Sequence, residues 1–315
     1  MKVGVTGGNG FIGQYVCEEL VKRGHEPMVF DHRGRCPGGP WEVMIGDVRD
    51  ATAMSELAAQ CDGIIHLAAV LGTQETITNP RPAAETNLQG GLNFLEAVAQ
   101  YDLPGVYICV GNHWMNNSYS ITKTAVERFV QMFNSHRGTR VNCVRVVNAY
   151  GPGQKAAPPF AAGKVRKITP AVVCRALSGM PVELYGGGRQ ISDMVWVGDA
   201  ARGLVAALET AAAGRVLDQV VEVGPMKSTS IREVAELIID LCADRGYPRV
   251  PVHELPMRPG ETPDTPVTVD SSTLLDVGMA PDSLVPLRDG MALTVDWFIE
   301  NHGVTWTAPE AGVHA

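Results

Sequence analysis

The sequence predicts an α/β fold, in which a doubly wound parallel sheet is followed by a smaller, mixed α/β C-terminal unit. Short β-branched segments alternate with helical segments up to residue 151, and this alternation implies right-handed crossovers between parallel strands. A glycine-rich turn joins the first strand to the first helix. After residue 151 the alternation gives way to a stretch rich in Gly, Pro and Ala.

The individual elements follow from apolar periodicity and from helix start and stop signals. Ser230 and Glu233 form a predicted capping box at the start of one helix, and the Pro-rich segment 248–266 is predicted to be a loop. Strands are predicted at 3–6, 27–30, 42–45, 63–67, 106–110 and 141–147. Helices are predicted at 11–23, 51–60, 82–100, 119–136, 170–178, 199–208 and 230–242.

These elements predict two structural units and a short tail. Residues 1–151 form the first unit, to which a segment at about 190–215 returns. The second unit, expected to bind the substrate, comprises 152–189 and 216–305, and 306–315 form the tail.

Composition excludes several functional classes. Lys plus Arg number 26 against 34 Asp plus Glu, so the net charge of −8 argues against a nucleic-acid binder, which needs clustered cations. No apolar run approaches the roughly 20 residues of a membrane span, and the N-terminus begins with a strand pattern, which predicts a cytoplasmic protein. The seven Cys lack a C-x-x-C pair and are predicted to be reduced and buried, and no metal site is predicted.

The turn after the first strand predicts a dinucleotide site. Gly7, Gly10 and Gly13 are spaced as in the Rossmann fingerprint, in which glycines permit the tight turn, the close approach of a pyrophosphate and the packing of helix on strand. Phe11 and Ile12 lie at the start of the helix, where free N–H groups bind anions.

Asp31 lies at the end of the second strand, eighteen residues after Gly13. A carboxylate there accepts hydrogen bonds from the adenosine ribose and repels a 2′-phosphate, which favours NAD over NADP. The neighbouring residues His32, Arg33 and Arg35 favour NADP instead, because Arg binds such a phosphate. Since Asp31 is at the strand end itself, NAD is the predicted cofactor.

Tyr119 and Lys123 lie four residues apart on a predicted helix and therefore project from one face. An ammonium group beside a phenol favours the phenolate and should lower its pKa from about 10. The Tyr could then take a proton from a sugar hydroxyl while hydride leaves the same carbon. None of the other six Tyr residues has a Lys at the fourth following position.

With these motifs together, the chain resembles the extended short-chain dehydrogenase/reductase family, specifically its nucleotide-sugar epimerase and dehydratase branch. The resemblance also rests on the segments 46–50, 66–69, 147–153, 193–199, 258–261 and 296–298 and on Asn87. It implies that the adenine is contacted by Asp47 and Val48, and that the cofactor lies beside Leu67, Ala68, Ala69 and Asn87.

On the substrate side, the resemblance implies that Asn148 lies in the turn after the sixth strand. An Arg that usually precedes the Asp193 position is replaced by Ser192, so Arg189 and Arg258 are the expected partners of the substrate phosphates. Family members also form homodimers through helices that match 82–100 and 119–136, and a homodimer is therefore predicted.

Gly111 departs from the family pattern. It stands where a Ser or Thr hydroxyl usually contacts the reacting hydroxyl. Only seven residues separate it from Tyr119, and the resemblance implies that this loop is shorter than is usual in the family. Asn112 and His113 are the predicted replacements, with Ser118 and Ser120 nearby. Because Asn112 and His113 stand where dehydratases carry an Asp and a Glu, the pattern counts against dehydration.

The resulting hypothesis is an NAD-dependent nucleoside-diphosphate-sugar epimerase that acts at C4 through a transient keto-sugar, with Tyr119 as the base. A nucleotide-sugar 4,6-dehydratase or a decarboxylase remains the enzymatic alternative. A second alternative, motivated by Gly111, is a protein that binds NAD and has lost catalysis.

Overall fold

The computed structural model describes residues 1–34, 39–162, 167–258 and 266–302. The strands in this part of the chain are β1 (Lys2–Thr6), β2 (Glu26–Asp31), β3 (Glu42–Ile45), β4 (Gly63–His66), β5 (Pro104–Cys109), β6 (Arg140–Val146), β7 (Ala149–Tyr150), β8 (Val182–Tyr185), β9 (Val195–Trp196), β10 (Val221–Val223) and β11 (Val252–Leu255). The helices are α1 (Phe11–Lys22), α2 (Ala51–Ala58), α3 (Glu75–Thr78), α4 (Arg81–Ala83), α5 (Gly90–Gln100), α6 (Ser118–Arg137), α7 (Ile168–Leu177), α8 (Val197–Ala212), α9 (Ile231–Ala243) and α10 (Leu287–His302).

A parallel seven-stranded sheet organises the fold, with the strand order β10-β6-β5-β4-β1-β2-β3. The chain runs outward from β1 to β3 and then returns to the other side of β1 through β4. Such a reversal leaves a crevice at the carboxyl ends of β1 and β4, where ligands bind in open α/β sheets. The predicted doubly wound, Rossmann-type fold is confirmed.

Helices cover both faces of this sheet. Val3 and Val5 of β1 are fully buried together with Leu204 of α8 and Leu20 of α1 on one face. On the other face, α2, α5 and α6 bury Ile64 of β4 and its neighbours in a second cluster. The alternation of side chains along each strand therefore fills two separate cores from one sheet.

The smaller unit is built around α7, α9 and α10 with the two-stranded β8–β11 pair. The predicted capping box at the start of α9 is confirmed: Glu233 N–H donates to Ser230 Oγ at 3.2 Å, and Ser230 N–H donates to Glu233 Oε2 at 2.7 Å. The prediction that 248–266 is entirely loop is wrong, because β11 lies there and pairs with β8.

Three further features differ from the sequence prediction. The sequence predicts that 216–305 belongs to the smaller unit, but β10 lies in this range and pairs with β6 as the edge strand of the main sheet. The predicted helix 82–100 is divided into α4, a π-helical turn Ala84–Gln89 and α5. The helix α10 was not predicted, and the tail 306–315 lies outside the described residues.

All six Cys residues in the described ranges are buried free thiols, as predicted, and Cys36 lies outside those ranges. None of the described helices is both long enough and apolar enough to span a bilayer.

Candidate active site

The glycine turn lies directly against the chain that follows β4. Gly7 has a φ of +71° and donates its N–H to the Phe30 carbonyl at 2.8 Å. A Cβ on Gly7 would lie 2.9 Å from the Ala68 nitrogen, and a Cβ on Gly13 would lie 2.5 Å from the Gly7 oxygen. Any side chain at these two positions would therefore push apart the backbone that forms the crevice.

The first turn of α1 fits the phosphates of a dinucleotide. The residue before the helix is Gly10, which offers no side-chain cap. The first N–H groups of a helix have no partner within it, so those at Phe11 and Ile12 remain available to an anion beside the glycine turn. The roles of Gly10, Phe11, Ile12 and Gly13 toward a pyrophosphate stay a prediction.

Asp31 ends β2 and is buried, with its carboxylate at the same edge of the sheet. It accepts the Asn9 N–H at 3.2 Å, the Arg33 N–H at 3.1 Å and the Arg33 Nε–H at 3.2 Å. Arg33, a possible phosphate partner, is thus paired with the carboxylate that favours NAD. Arg35 lies outside the described residues.

Thr6 fixes the backbone that leaves β4. Its Oγ1 accepts the N–H groups of Leu67 at 3.1 Å and Ala68 at 3.3 Å, so its own proton points to His66 Nδ1 at 2.9 Å. Burial, followed by the charge of Lys123, lowers the His66 pKa to about 3. His66 is therefore neutral and holds Thr6 in place, which presents the predicted segment 67–69 to the crevice.

Asn87 joins this segment to α6. Its Oδ1 accepts the Val70 N–H at 2.7 Å, and its Nδ2 donates to the Val70 carbonyl at 3.1 Å and to Thr122 Oγ1 at 3.1 Å. It lies in the π-helical turn, a local distortion that often marks functional sites. Its amide is thus hydrogen-bonded within the protein. Asn87 therefore supports the predicted cofactor site by joining Val70 to Thr122 of α6.

The two residues predicted to contact the adenine follow β3. Asp47 pairs with Arg49 at 2.6 Å, and this hydrogen-bonded pair lowers the Asp47 pKa. Val48 is buried beneath the same edge, where Asn93 Nδ2 donates to its carbonyl at 2.9 Å. In the sheet order β1-β2-β3, the glycine turn follows β1, Asp31 ends β2, and Asp47 and Val48 follow β3.

Tyr119 and Lys123 lie in the first turns of α6. Asn117 caps this helix by accepting the Ser120 N–H at 2.9 Å, and the Tyr119 N–H donates to Thr76 Oγ1 at 3.2 Å. Lys123 is only 2% exposed, and its Nζ has no hydrogen-bond partner among the described residues. Thr76, which sequence reasoning missed, gave no signal because it follows no recognisable motif.

The electrostatics of this pair differ from the prediction. Burial lowers the Lys123 pKa to about 8 and raises the Tyr119 pKa to about 12. The Lys123 ammonium lies 4.0 Å from the centre of the Tyr107 ring, where it is stabilised by the aromatic face. The predicted lowering of the Tyr119 pKa is thus absent from the protein alone, because desolvation dominates and the nearby Cys109 raises the pKa further.

Two valines fill the place of the missing hydroxyl at Gly111. A Cβ there would lie 2.9 Å from Val147 Cγ1 and 3.5 Å from Val267 Cγ1. No hydroxyl side chain could be added without moving Val147, because Cβ contacts below 3.0 Å are essentially never observed.

The two predicted replacements behave differently. Asn112 Oδ1 accepts the Ser120 Oγ–H at 3.3 Å, and its Nδ2 faces only the weak acceptor Met115 Sδ at 3.0 Å. His113 is exposed, and its ring packs edge-to-face on Trp114 with centroids 4.9 Å apart. Asn112 therefore holds an amide donor next to the helix of Tyr119, whereas the His113 ring packs on Trp114.

On the substrate side, Asn148 has a φ of +34° and is already engaged. Its Nδ2 donates to Ser192 Oγ at 2.7 Å and to the Asp193 carbonyl at 2.9 Å. Asn148 thus fastens the turn after β6 to the segment before β9, and only its Oδ1 remains for a substrate.

The two predicted phosphate partners lie in the smaller unit. Arg189 is 76% exposed, with Nη1 3.8 Å from Glu254. The Arg258 guanidinium lies 4.9 Å from the centre of the Tyr185 ring, and the rest of its motif, 259–261, lies outside the described residues. Stacking orients Arg258, so of the two it is the better placed to hold a phosphate group.

Comparison with known proteins decides the family. The NAD dependent epimerase/dehydratase family profile matches residues 3–224. The chain belongs to this family. Its cofactor is NAD, which agrees with the uncapped start of α1, the glycine turn and the position of Asp31.

Several members of the epimerase/dehydratase family resemble the whole chain. The UDP-N-acetyl-alpha-D-glucosaminuronate decarboxylase of Bacillus cytotoxicus is 28% identical, with 94% of this chain and 97% of that protein covered. A dTDP-glucose 4,6-dehydratase of Xanthomonas campestris is 29% identical, with 96% and 93% covered. The NAD complex of UDP-glucose 4-epimerase from Thermus thermophilus superimposes with a TM-score of 0.80 at 27% identity, covering 95% of this chain and 99% of that one.

Proposed function

We propose that the protein is an NAD-dependent nucleoside-diphosphate-sugar epimerase that inverts the hydroxyl at C4. The observation that supports this proposal is the buried Lys123, which lies one helical turn after Tyr119 on α6 and close enough to His66 at the end of β4 to lower the His66 pKa. Its Nζ has no hydrogen-bond partner among the described residues and is thus available to a cofactor. The loop 111–118 that enters this helix contains no carboxylate. Such a site can move one proton and orient one carbon, and epimerisation through a keto-sugar needs nothing more.

The residues divide this work between them. NAD bound beside the glycine turn would supply a hydride acceptor for the sugar carbon and, in the return step, a hydride donor. Tyr119 takes the proton of the C4 hydroxyl as the C–H bond breaks, and gives that proton back after the keto-sugar has turned its other face. The Lys123 ammonium would hold the nicotinamide ribose. The Tyr119 pKa is about 12 in the protein alone, and positive charge from the bound cofactor and from Lys123 would favour the phenolate.

Decarboxylation is the second candidate, supported by the name of the Bacillus relative. A 4-keto-uronic acid is a β-keto acid, so it loses carbon dioxide without a catalytic carboxylate. Dehydration, in contrast, needs an acid and a base at neighbouring carbons, and Asn112 and His113 supply neither an Asp nor a Glu. The site therefore favours epimerase and decarboxylase chemistry over elimination of water.

Incubation with a panel of nucleotide hexoses and nucleotide uronic acids tests the proposal. An epimer keeps the mass of its substrate, a decarboxylated product loses carbon dioxide, and a dehydrated product loses water. Tyr119→Phe should reduce turnover by at least 10²-fold, as expected for loss of a general base, while NAD still binds. Turnover that is equal in wild type and Tyr119→Phe would refute the role of Tyr119. NAD binding without turnover of any nucleotide sugar would favour a protein that has lost catalysis.

We also propose that the protein forms a homodimer through α6. Ile121 is 56% exposed and Met132 is 38% exposed, and they are eleven positions apart, about three helical turns, so both lie on one side of α6. A second copy of the chain would cover this side of α6. Light scattering should give twice the chain mass, and Ile121→Glu combined with Met132→Glu should give a monomer. A monomeric wild type at micromolar concentration would exclude the dimer.

A further inference from the structure

A single buried guanidinium connects the elements that carry the candidate active site. Arg145 lies on β6, and its side chain is only 9% exposed. Its Nε–H donates to the Val110 carbonyl at 3.0 Å, and Nη2 donates to both carboxylate oxygens of Glu127 at 3.0 and 3.1 Å. Its Nη1 donates to Glu222 of β10. One planar cation thus contacts the residue after β5, the strand β10 and the helix α6, which only an Arg side chain can do with this geometry.

These contacts bear directly on the loop and the helix of the site. Val110 precedes Gly111, so the carbonyl that Arg145 holds is where the shortened loop begins. Glu127 follows Lys123 by one helical turn on α6. The guanidinium therefore fixes the distance between the end of β5, where the loop begins, and the helix that carries Tyr119.

We propose that Arg145 is a positioning residue for the Tyr119–Lys123 pair, which it holds against the end of β5 through Glu127 and the Val110 carbonyl. This inference rests on the proposed function for its kinetic consequence, but its structural part does not. Glu127 has a second effect, because its negative charge raises the pKa of Lys123 against the dominant lowering by burial. Glu222 binds the same guanidinium from β10, on the side away from α6, and is not among the charges that act on Lys123.

The surroundings of Lys123 allow this effect to be isolated. The titratable groups that face its ammonium are His66 of β4, Tyr107 and Cys109 of β5, Cys143 of β6 and Glu127 of α6. Burial keeps His66, Tyr107 and Cys109 neutral near pH 7, because it lowers the pKa of His66 and raises the pKa values of the other two. Removing the charge of Glu127 should therefore change the titration of Lys123 directly.

A matched pair of variants tests the inference. Glu127→Gln and Glu222→Gln both remove one carboxylate from Arg145 and keep its shape and a hydrogen-bond acceptor. Titration of the ¹³Cε resonance of Lys123, assigned by its absence in Lys123→Met, should show a pKa lower by about half a unit or more in Glu127→Gln. In Glu222→Gln the Lys123 pKa should stay at the wild-type value. Equal shifts in the two variants, or no shift in either, would overturn the inference.

Arg145→Lys tests the kinetic part, because it keeps the charge but cannot donate to three groups in one plane. We expect kcat to fall by about 10- to 100-fold while KM for the nucleotide sugar changes less than about twofold, as for a slightly misplaced base. A wild-type kcat in Arg145→Lys would refute the positioning role. If the wild type itself turns over no nucleotide sugar, the proposed function fails, and the Lys123 titration still decides whether the Glu127 that binds Arg145 acts on Lys123.

Discussion

Lys123→Met should make the protein more stable while removing its activity. Burial lowers the Lys123 pKa from 10.5 to about 8, so below pH 8 the folded protein must hold a charge that it disfavours. A shift of about 2.5 units corresponds to about 3 kcal/mol of unfolding free energy. Met has a similar length but loses the cation–π contact with Tyr107, which stabilises by about 2 kcal/mol at a desolvated site. The charge penalty is the larger of the two, which leaves a net gain of about 1 kcal/mol at pH 7.

The pH dependence of this gain identifies its cause. Because the folded pKa of Lys123 lies below its unfolded value, the wild type loses stability as the pH falls from 10.5 toward 8, and the loss is complete below pH 8. The advantage of Lys123→Met should therefore be largest at pH 7 and should shrink between pH 8 and 10.5. Urea unfolding at pH 7 and pH 9.5 measures both values. Lys22→Met, at a helical Lys that is 69% exposed, is the control and should leave stability unchanged at both pH values.

Two results would refute this reasoning. If Lys123→Met were less stable than wild type at pH 7, the ammonium would contribute more through its contacts than burial costs it. If the gain were the same at pH 7 and pH 9.5, hydrophobic packing of Met rather than removal of a charge would explain it. Either result would also contradict the view that stability at this site is reduced in favour of function.

Three further changes have definite expected outcomes. Gly13→Ala places a methyl carbon 2.5 Å from a backbone oxygen of the glycine turn, so NAD affinity measured by calorimetry should fall at least tenfold, and an unchanged Kd would contradict the fit. Asn87→Ala leaves both polar groups of Val70 unpaired and should lower the unfolding free energy by about 2–4 kcal/mol in urea, whereas a loss below about 1 kcal/mol would show that water replaces the amide. Asn112→Ala should lower kcat by about 10²-fold if its amide stabilises the reacting oxygen, whereas the exposed His113→Ala should change kcat less than about twofold, and the reverse order would show that His113 is the donor.

The parts of the fold that local sequence determines were predictable. The turn 6–13 requires glycines because the backbone of the chain after β4 approaches it to within a Cβ contact, so the motif and its geometry have the same cause. The capping box at Ser230 and Glu233 satisfies N–H groups within one helical turn. The capping box depends only on residues within one helical turn, whereas the glycine turn is recognisable from its spacing even though Ala68, which approaches it, is distant in sequence.

The features that the sequence did not predict depend on distant partners. The three residues of β10 and the four of β11 are too few to show a period, and they become strands only because β6 and β8 offer free edges. The direction of the Tyr119 pKa shift depends on burial, which spacing along a helix does not reveal. Arg145 did carry a signal, since a charge within the apolar run of β6 needs a buried partner, but only the fold identifies Glu127 and Glu222 as those partners.

The loss of a hydroxyl at Gly111 is connected with two neighbouring residues, Val147 and Asn112. The space that a hydroxyl residue would need is partly occupied by Val147, so a Ser there requires the Val147 side chain to shift. The nearby donor, Asn112, is held by Ser120, which follows Tyr119 on α6. A donor fastened to the helix of the base moves with that base, whereas a hydroxyl on the strand end would stay with β5. The shortened loop therefore makes the placement of the donor depend on α6, and α6 is the helix that Arg145 holds through Glu127.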